Sequence, residues 1–262
     1  MVFPRPPPEP ENAVRVLSRG LTLIKAFCPR NLPMSNGDLA SATGLPRPTV
    51  SRITATLTRL RYLDYLPAQA QYRLGEAALA LGFGALSGLD IRLRARARMQ
   101  RFADTEDLLV VLATRDDMAM VCHEVCRGRG ALTIRVGVGS RLLLPHSAMG
   151  RAWISSLPDP AHKAVMDELK VRFPREKLRG AMDEAAAQIK ALGFCVTVSS
   201  LEPDVNSVAT LVDFDPAPGH YVLGCSVPAF RYPPERCRDE LGPRLLQLRR
   251  EIERDLKPAE HH

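Results

Sequence analysis

The stretch SNGDLASATGLPRPTVSRITATLTRLR, residues 35–61, decides the fold of the N-terminal part of the chain. Ser35 and Asp38 have the spacing of a helix-capping box, and Gly44 stands where a tight turn between two helices needs a positive φ. Pro48 can start the second helix, because a proline in the first turn loses no hydrogen bond. Helical spacing predicts a buried stripe made of Val50, Ile53, Leu57 and Leu60. The stretch therefore predicts two helices joined by a tight turn.

The opposite face of the second helix is polar and basic, as in a helix that enters the DNA major groove. Arg47 and Arg52 are the best candidates for base contacts, because arginine to guanine is the commonest specific pairing. Thr49 and Ser51 are expected to hold phosphates, and Arg59 lies on the same face. The alternative interpretation is an ordinary helical hairpin with a solvated basic face.

The distribution of charge favours the interpretation as a DNA-binding module. Residues 12–75 hold nine of the 36 Lys and Arg residues and two of the 29 Asp and Glu residues, which leaves 27 of each kind elsewhere. This segment therefore carries +7, the net charge of the whole chain at pH 7. A basic segment beside a neutral remainder is typical of a nucleic-acid-binding domain joined to another domain.

Two short strands are predicted after the second helix, at residues 62–66 and 71–74, with residues 67–70 as the turn. A β-hairpin in this position forms the wing of a winged helix-turn-helix. Gln71 and Arg73 are placed to reach a phosphate or the minor groove. A hairpin of this kind is also often purely structural, and the sequence leaves that alternative open.

At this point the chain resembles the IclR family of bacterial transcription regulators, over residues 12–256. The matching segments follow the family's order: residues 13–27, GLPRPTVSRITATL (44–57), YRLG (72–75), SAMGRA (147–152), ALGFCV (191–196) and VPAFRYPPERC (227–237). The resemblance implies a winged helix-turn-helix, a linker helix and a GAF-like domain that binds a small organic effector. It also implies dimers or pairs of dimers.

The expected fold class is α/β (α+β). We expect a disordered leader (residues 1–11), a winged helix-turn-helix (12–75), a linker helix (76–103) and a GAF-like effector-binding domain (104–258). Residues 90–99 alternate like a strand, but an arginine-rich strand has no evident partner nearby, so a helix broken near Gly88 is predicted. The arginines at positions 92, 94, 96 and 98 are expected to form a solvated face that also touches acidic groups.

The remainder of the chain alternates between strand and helix patterns, which suits a small-molecule sensor fold. Strands are predicted at residues 108–114, 118–125, 132–138, 194–199, 207–214 and 221–227. Helices are predicted at residues 147–156, 160–172, 181–192 and 234–256.

The resemblance places the effector pocket over the sheet, capped by a helix that begins near Ser147. The lining residues carried over by position are His146, Ala148, Met149, Gly150, Thr197, Ser207, Gly224 and Ser226. A helix N-terminus suits a carboxylate ligand. The family more often has an acidic residue where Thr197 stands and a cysteine where Ser207 stands, so this pocket is more neutral. With Met149 in the lining, this favours an aromatic or otherwise bulky acid over a two- or three-carbon acid.

The six cysteines lack the spacing of a disulfide framework and are expected to be reduced core residues. Residues 122–126, Cys-His-Glu-Val-Cys, raise the alternative of a metal site. On a regular strand, however, Cys122 and Cys126 point to one face and His123 to the other. We therefore expect no metal and no other cofactor.

An enzyme is the alternative from another class, with Ser147 and His146 as nucleophile and base. Neighbouring residues rarely reach each other in these roles, and the chain has no Gly-x-Ser-x-Gly elbow, so no catalysis is expected. No apolar run approaches the length of a membrane span, which predicts a cytoplasmic protein without membrane contact.

The predicted function is that of a ligand-responsive transcriptional regulator. It would bind a palindromic double-stranded DNA operator as a homodimer or a dimer of dimers, under the control of a small organic acid. The alternative within the same class is a DNA-binding protein with a vestigial, ligand-free sensor domain.

Overall fold

The structure is a computed structural model that describes residues 14–28, 32–88, 90–129, 136–174, 178–213 and 221–256. It divides into two compact units, residues 1–88 and residues 89–262. The leader expected at residues 1–11 lies outside the described residues. In the described ranges, no helix is both long and apolar enough to cross a membrane.

The first unit contains the predicted helix-turn-helix and hairpin. Its elements are α1 (Arg15–Phe27), α2 (Asn36–Thr43), α3 (Arg47–Arg59), β1 (Leu63–Leu66), β2 (Gln71–Leu74) and α4 (Glu76–Ser87). The capping box is confirmed. The Ser35 hydroxyl accepts a hydrogen bond from the amide of Asp38, and the Asp38 carboxylate accepts one from the amide of Ser35. Gly44 has the predicted positive φ, 69°. The core of this unit consists of Leu23, Phe27, Leu39, Val50, Ile53 and Leu63.

The buried stripe of α3 differs from the prediction at its end. Leu60 is 58% exposed, so its predicted burial is wrong. The helix ends at Arg59, and Leu60 is its C-cap, beyond the last turn that packs on the core. Thr54 is fully buried instead, and its hydroxyl donates to the side-chain oxygen of Asn36 at 3.1 Å. This hydrogen bond joins α3 to the first turn of α2.

The second unit is a sheet with helices on both faces. In its described residues, six strands are ordered β5-β4-β3-β8-β7-β6, and every pair is antiparallel, as in an α+β fold. The strands are β3 (Leu109–Asp116), β4 (Ala119–Arg127), β5 (Arg141–Leu143), β6 (Cys195–Val198), β7 (Val205–Val212) and β8 (Tyr221–Pro228). The helices are α5 (Asp90–Glu106), α6 (Ala148–Ser155), α7 (Asp159–Arg172), α8 (Leu178–Leu192), α9 (Pro234–Arg236) and α10 (Gly242–Leu256).

Most predicted elements of this unit are confirmed, with small shifts at their ends. The strand predicted at residues 132–138 falls largely outside the described residues, and residues 136–140 are not strand. The short strand β5 was not predicted. The predicted C-terminal helix is confirmed, but residues Cys237–Leu241 form a π-helical turn between α9 and α10.

The two faces of the sheet have separate cores. Helices α6, α7 and α8 cover one face, where Met149, Ile154 and Leu169 are buried with Val111. Helices α5 and α10 cover the other, where Met99 is buried with the neighbouring Val110. Alternation along β3 therefore supplies side chains to both cores.

The helix predicted across residues 76–103 is interrupted at Gly88, as expected, and forms α4 and α5. A helix prevails over a strand in α5 because buried residues recur every four positions, at Ile91, Ala95, Met99 and Ala103. The arginines between them contact acidic groups, as predicted. Arg92 and Arg96 pair with Glu124, and Arg98 pairs with Glu251 and Asp255.

A β-bulge in β4 overturns the predicted orientation of its cysteines. Glu124 lies opposite Leu112 and Cys122 lies opposite Ala113, which leaves His123 as an extra residue. Cys122 therefore enters the core below α6, and Cys126 enters the core below α5. The expectation that both cysteines share one face is wrong. Within the described residues, no group of three or more His, Cys, Asp or Glu side chains is arranged to hold a metal ion.

Candidate functional site

The exposed face of α3 carries most of the side chains that were singled out for DNA contact. Arg47, Ser51, Arg52 and Arg59 are exposed and Thr49 is half-buried, opposite a face that contains Val50, Ile53 and Thr54. Among the described residues, the three arginines form no ion pair. Their positive charge is therefore available to an anionic partner.

The angle between α2 and α3 is fixed by local contacts. The amide of Val50 donates to the carbonyl of Pro46 at 3.0 Å, which starts α3 directly after the turn. The guanidinium of Arg47 lies beside the first turn of α2, with Nη2 3.9 Å from the position that a Cβ on Gly37 would occupy. Arg52, which is also exposed, lies five residues further along α3. The two arginines thus present charge at different points of the same surface.

The hairpin is attached to the helices by main-chain hydrogen bonds between Met34 and Tyr72, 2.8 and 2.9 Å long. Gln71 is half-buried and Arg73 is exposed. Arg73 lies directly opposite Asp64 in the hairpin, and its Nε is 3.2 Å from an Asp64 carboxylate oxygen. The Arg73 charge is therefore partly neutralised within the wing.

A pocket in the second unit lies between the N-terminal turn of α6 and strands β3, β7 and β8. It is partly open, and the space of about 350 Å³ between its walls includes open solvent, so its enclosed part is much smaller. Among the described residues, none that lines it carries a charge. Its apolar walls include Leu109, Val111, Val136, Leu142, Met149 and Leu201. Its hydroxyl groups come from Ser147, Ser207 and Ser226.

The polar groups of the pocket gather near the start of α6. The Ser147 hydroxyl accepts from the amide of Gly150 at 3.0 Å and so caps the helix. The amides of Ala148 and Met149 have no partner in the helix's own ladder, as in any first helical turn. The hydroxyl oxygens of Ser207 and Ser226 are 2.9 Å apart. Together these groups offer hydrogen bonds and a positive helix dipole to a polar ligand group.

One wall of the pocket is attached to α6 through a half-buried arginine. Arg151 donates to the carbonyl of Pro145 at 3.0 Å and to the Ser200 hydroxyl at 2.8 Å, next to the lining residue Leu201. Burial lowers the pKa of Arg151. The Cys195 thiol donates to the carbonyl of Ala148, and burial raises its pKa to about 12, so it stays neutral at physiological pH.

The structure brings five of the eight residues expected in an effector site into this pocket: Ala148, Met149, Ser207, Gly224 and Ser226. The other three lie outside its lining. The His146 ring packs edge-on against Phe173, with ring centroids 5.9 Å apart. A Cβ on Gly150 would lie 2.3 Å from the carbonyl oxygen of Leu144, so this glycine permits close packing. Thr197 is buried beside Ser207 in the β6–β7 pair.

Sequence reasoning missed most of the apolar walls. Leu109 and Val111 alternate with Val110 and Leu112 along β3. The alternation shows that Leu109 and Val111 share one face of the sheet, but it does not show which face carries the pocket. Leu201 comes from the connection between β6 and β7 and follows no periodic pattern. For Leu109 and Val111, the available signal was therefore the two-residue period of β3, combined with the position of α6.

Comparison with known proteins identifies both units. The family described as the IclR helix-turn-helix domain matches residues 16–67, and the family described as bacterial transcriptional regulator IclR C-terminal matches residues 83–254. The chain is 28% identical to the HTH-type transcriptional regulator TsaQ1/TsaQ2 of Comamonas testosteroni, over 94% of this chain and 90% of that protein. It is 27% identical to the Pca regulon regulatory protein of Pseudomonas putida, over 92% of this chain and 82% of that protein.

The fold agrees with that of a solved relative. An IclR family transcriptional regulator from Brucella abortus has a TM-score of 0.84 and 34% identity, with coverage of 96% of this chain and 95% of that one. The matched families and these relatives are transcriptional regulators rather than enzymes. The chain therefore belongs to the IclR family of DNA-binding transcriptional regulators.

Proposed function

We propose that this regulator binds a palindromic operator as a homodimer or dimer of dimers, and that a small aromatic acid in the pocket changes its operator affinity. The observation that carries this proposal is the pocket itself. Its described walls are apolar and uncharged, and its polar groups lie together near the N-terminus of α6. Such a site suits a ligand with a flat apolar body and one anionic or hydroxyl-bearing end.

Contact with DNA is assigned to the exposed face of α3. Arg52 is the main candidate for reading a base, and Arg47 shares this role from a position nearer the first turn of α2. Thr49, Ser51 and Arg59 would hold phosphates beside them. Gln71 and Arg73 of the wing would add weaker contacts, because Asp64 already pairs with Arg73.

The ligand assignment follows from the apolar walls of the pocket and from the position of its polar groups. A two- or three-carbon acid would make few contacts with the walls formed by Leu109, Val111 and Leu142, and it would forgo most of the apolar burial that the site offers. An aromatic ring would pack against these walls. Its carboxylate would accept hydrogen bonds from the α6 amides and from Ser207 or Ser226, and the described lining residues add no cation.

The proposed homodimer rests on apolar surface that the first unit leaves exposed. Helix α4 has no buried residue, and Leu79, Leu81 and Phe83 are each more than half exposed. Leu79 and Phe83, four residues apart, share one side of the helix, and an exposed apolar patch of this kind often marks an interaction surface. A second copy that covers α4 would place two α3 helices on one face of DNA, about 34 Å apart, which matches a palindromic operator.

Coupling between the two sites requires that the acid bind one state of the protein more tightly than the other. The acid then shifts the population that fits the operator, by a factor that cannot exceed the ratio of its affinities for the two states.

The test combines thermal melting with operator binding. A panel of aliphatic and aromatic carboxylic acids is screened by melting, because a ligand that binds only the folded state raises its stability. Operator sequences are selected from random DNA with the purified protein. We expect benzoate-sized acids to raise Tm and to change the operator Kd. The Arg52→Ala variant is the control, because it should lose operator affinity and keep the acid-induced shift in Tm. A panel without any shift would overturn the ligand assignment and favour a vestigial sensor domain.

A further inference from the structure

Met149 and Gly224 fit together across the pocket. A Cβ on Gly224 would lie 2.8 Å from Met149 Cγ and 3.1 Å from its sulfur. The first distance is shorter than real Cβ contacts, so the Met149 side chain occupies space that exists only because residue 224 has no side chain. Both residues line the pocket, and Met149 is 4% exposed. Gly224 is therefore a notch in the sheet that holds the Met149 side chain.

The backbone around this notch has little freedom to move. Gly224 lies in β8 between Val111 of β3 and Ala209 of β7, with hydrogen-bonded strands on both sides. Helix α6 is equally constrained, because Gly150 packs directly on the backbone of Leu144. A methyl group added at position 224 would therefore be accommodated by the Met149 side chain, which has three rotatable bonds.

The direction of that movement is set by the surrounding packing. The α6 side of the sheet is filled by buried core residues, and the empty space next to Met149 is the pocket. A displaced Met149 side chain would enter this space and occupy volume that a ligand needs.

We propose that the Met149–Gly224 pair determines the largest acid that the pocket accepts. With Met149 in the notch, its side chain stays out of the space beside it that a ligand ring would take; with Met149 out of the notch, the side chain occupies that space. This inference rests on the proposed effector function of the pocket. It adds a specificity role for two residues whose packing, rather than polarity, sets the limit.

Four proteins test the proposal: wild type, Gly224→Ala, Met149→Ala and the double variant. Each is titrated calorimetrically with acetate, benzoate and 2-naphthoate. We expect Gly224→Ala to weaken benzoate binding at least about tenfold, because the ring and the displaced side chain compete for one space. Met149→Ala should accept 2-naphthoate at least about tenfold more tightly than wild type does. In the double variant, benzoate affinity should return to within about threefold of that of Met149→Ala.

Two controls separate this role from general effects of the substitutions. Gly180→Ala adds the same methyl group in α8, where a Cβ would meet no atom within 4 Å. Met182→Ala removes a methionine that is buried in the same core but does not line the pocket. Neither control should alter the preference among the three acids.

A ligand-free measurement reports the packing directly. In protein labelled with ¹³C at the methionine methyl groups, the Met149 resonance should move in Gly224→Ala, and the Met182 resonance should stay in place. An unmoved Met149 resonance, unchanged benzoate affinity in Gly224→Ala, or a loss that Met149→Ala fails to rescue would each overturn the inference. If none of the four proteins binds any of the acids, the proposed effector function itself is overturned.

Discussion

The exposed arginines of α3 and the ion-paired arginines of the second unit use the same side chain in opposite ways. In the first unit, the described arginines of α3 are exposed and make no ion pair, although Asp38 and Asp64 lie in the same unit. In the second unit, arginines neutralise buried or half-buried carboxylates, as Arg172 does for Asp117 and Glu168. The three arginines of α3 therefore lie where they can meet a polyanion. Unpaired charge marks the surface for a partner, and paired charge stabilises the fold.

The clearest paired group is Glu124. It is fully buried, and it is held by Arg92 and Arg96 from α5. A buried carboxylate loses its hydration, and two guanidinium groups compensate for that loss. The pair Arg61–Glu76 in the first unit is its exposed counterpart, with 71% and 75% of the two side chains accessible to solvent. These two groups allow the comparison to be tested.

The largest effect is expected from removing the unpaired charge of α3. The double variant Arg47→Ala/Arg52→Ala should lose at least about 30-fold in operator affinity, because each arginine that reads a base contributes about 1–3 kcal/mol. Its Tm should stay near that of wild type. Fluorescence anisotropy at fixed salt measures the change. Arg238→Ala removes an exposed arginine of the second unit and should leave operator affinity unchanged; an equal loss in that variant would mean that only total charge matters.

The next effect concerns paired charge. Glu124→Ala should lower the free energy of unfolding by about 2–3 kcal/mol, because Arg92 and Arg96 lose their partner in a partly buried site. Glu76→Ala should cost less than about 1 kcal/mol, because its pair with Arg61 is fully hydrated. Urea denaturation of both variants gives the two values. If both variants lose a similar free energy of unfolding, burial does not determine how much an ion pair contributes to stability.

A smaller, pH-dependent effect is expected at the bulge next to this cluster. Burial and the Arg92 charge lower the pKa of His123, and its Nε2 lies 2.6 Å from the Thr114 hydroxyl. The unfolded chain binds a proton at about pH 6.5, where folded His123 is still neutral. Stability should therefore fall as the pH decreases below about 6.5, until folded His123 also becomes protonated.

His123→Gln should remove this part of the pH dependence. Urea denaturation at about pH 7.5 and about pH 5.5 measures it. His162→Gln, on α7, is the matched control and should keep the wild-type dependence. If both variants retain the same slope, His123 does not contribute to the loss of stability in acid.

The smallest effect should follow from converting a paired arginine into an unpaired one. Asp64→Asn releases Arg73 in the wing, and operator affinity should rise about two- to threefold, with a salt dependence steeper by about one phosphate contact. The double variant Asp64→Asn/Arg73→Ala should show no such gain. A gain that persists without Arg73 would reflect the loss of a negative charge alone.

The sequence predicted the first unit well because its signals are local. The capping box at Ser35 and the positive φ of Gly44 need no distant partner, and both are confirmed. The exposure of Leu60 was missed because periodicity does not show where the last packed turn ends. The second unit was harder, because the bulge at His123 depends on pairing with β3, and one extra residue reversed the predicted orientation of the cysteines.

The candidate pocket shows the same limit. Its helix N-terminus follows from Ser147 and the residues after it, which are adjacent in the chain. Its walls come from β3, β5 and the residues around Leu201, which only the fold brings together. The notch at Gly224 was visible as a glycine, but its role depends on the Met149 side chain across the pocket.

The most direct test of coupling between acid and DNA is a reciprocal titration of the wild-type protein at about 150 mM salt. The operator Kd is measured with and without saturating benzoate, and the benzoate Kd is measured with and without operator. We predict that benzoate changes the operator Kd at least about fivefold, and that operator changes the benzoate Kd by the same factor, as linkage requires. Tight binding of benzoate that leaves the operator Kd unchanged would contradict the proposal that this pocket regulates DNA binding.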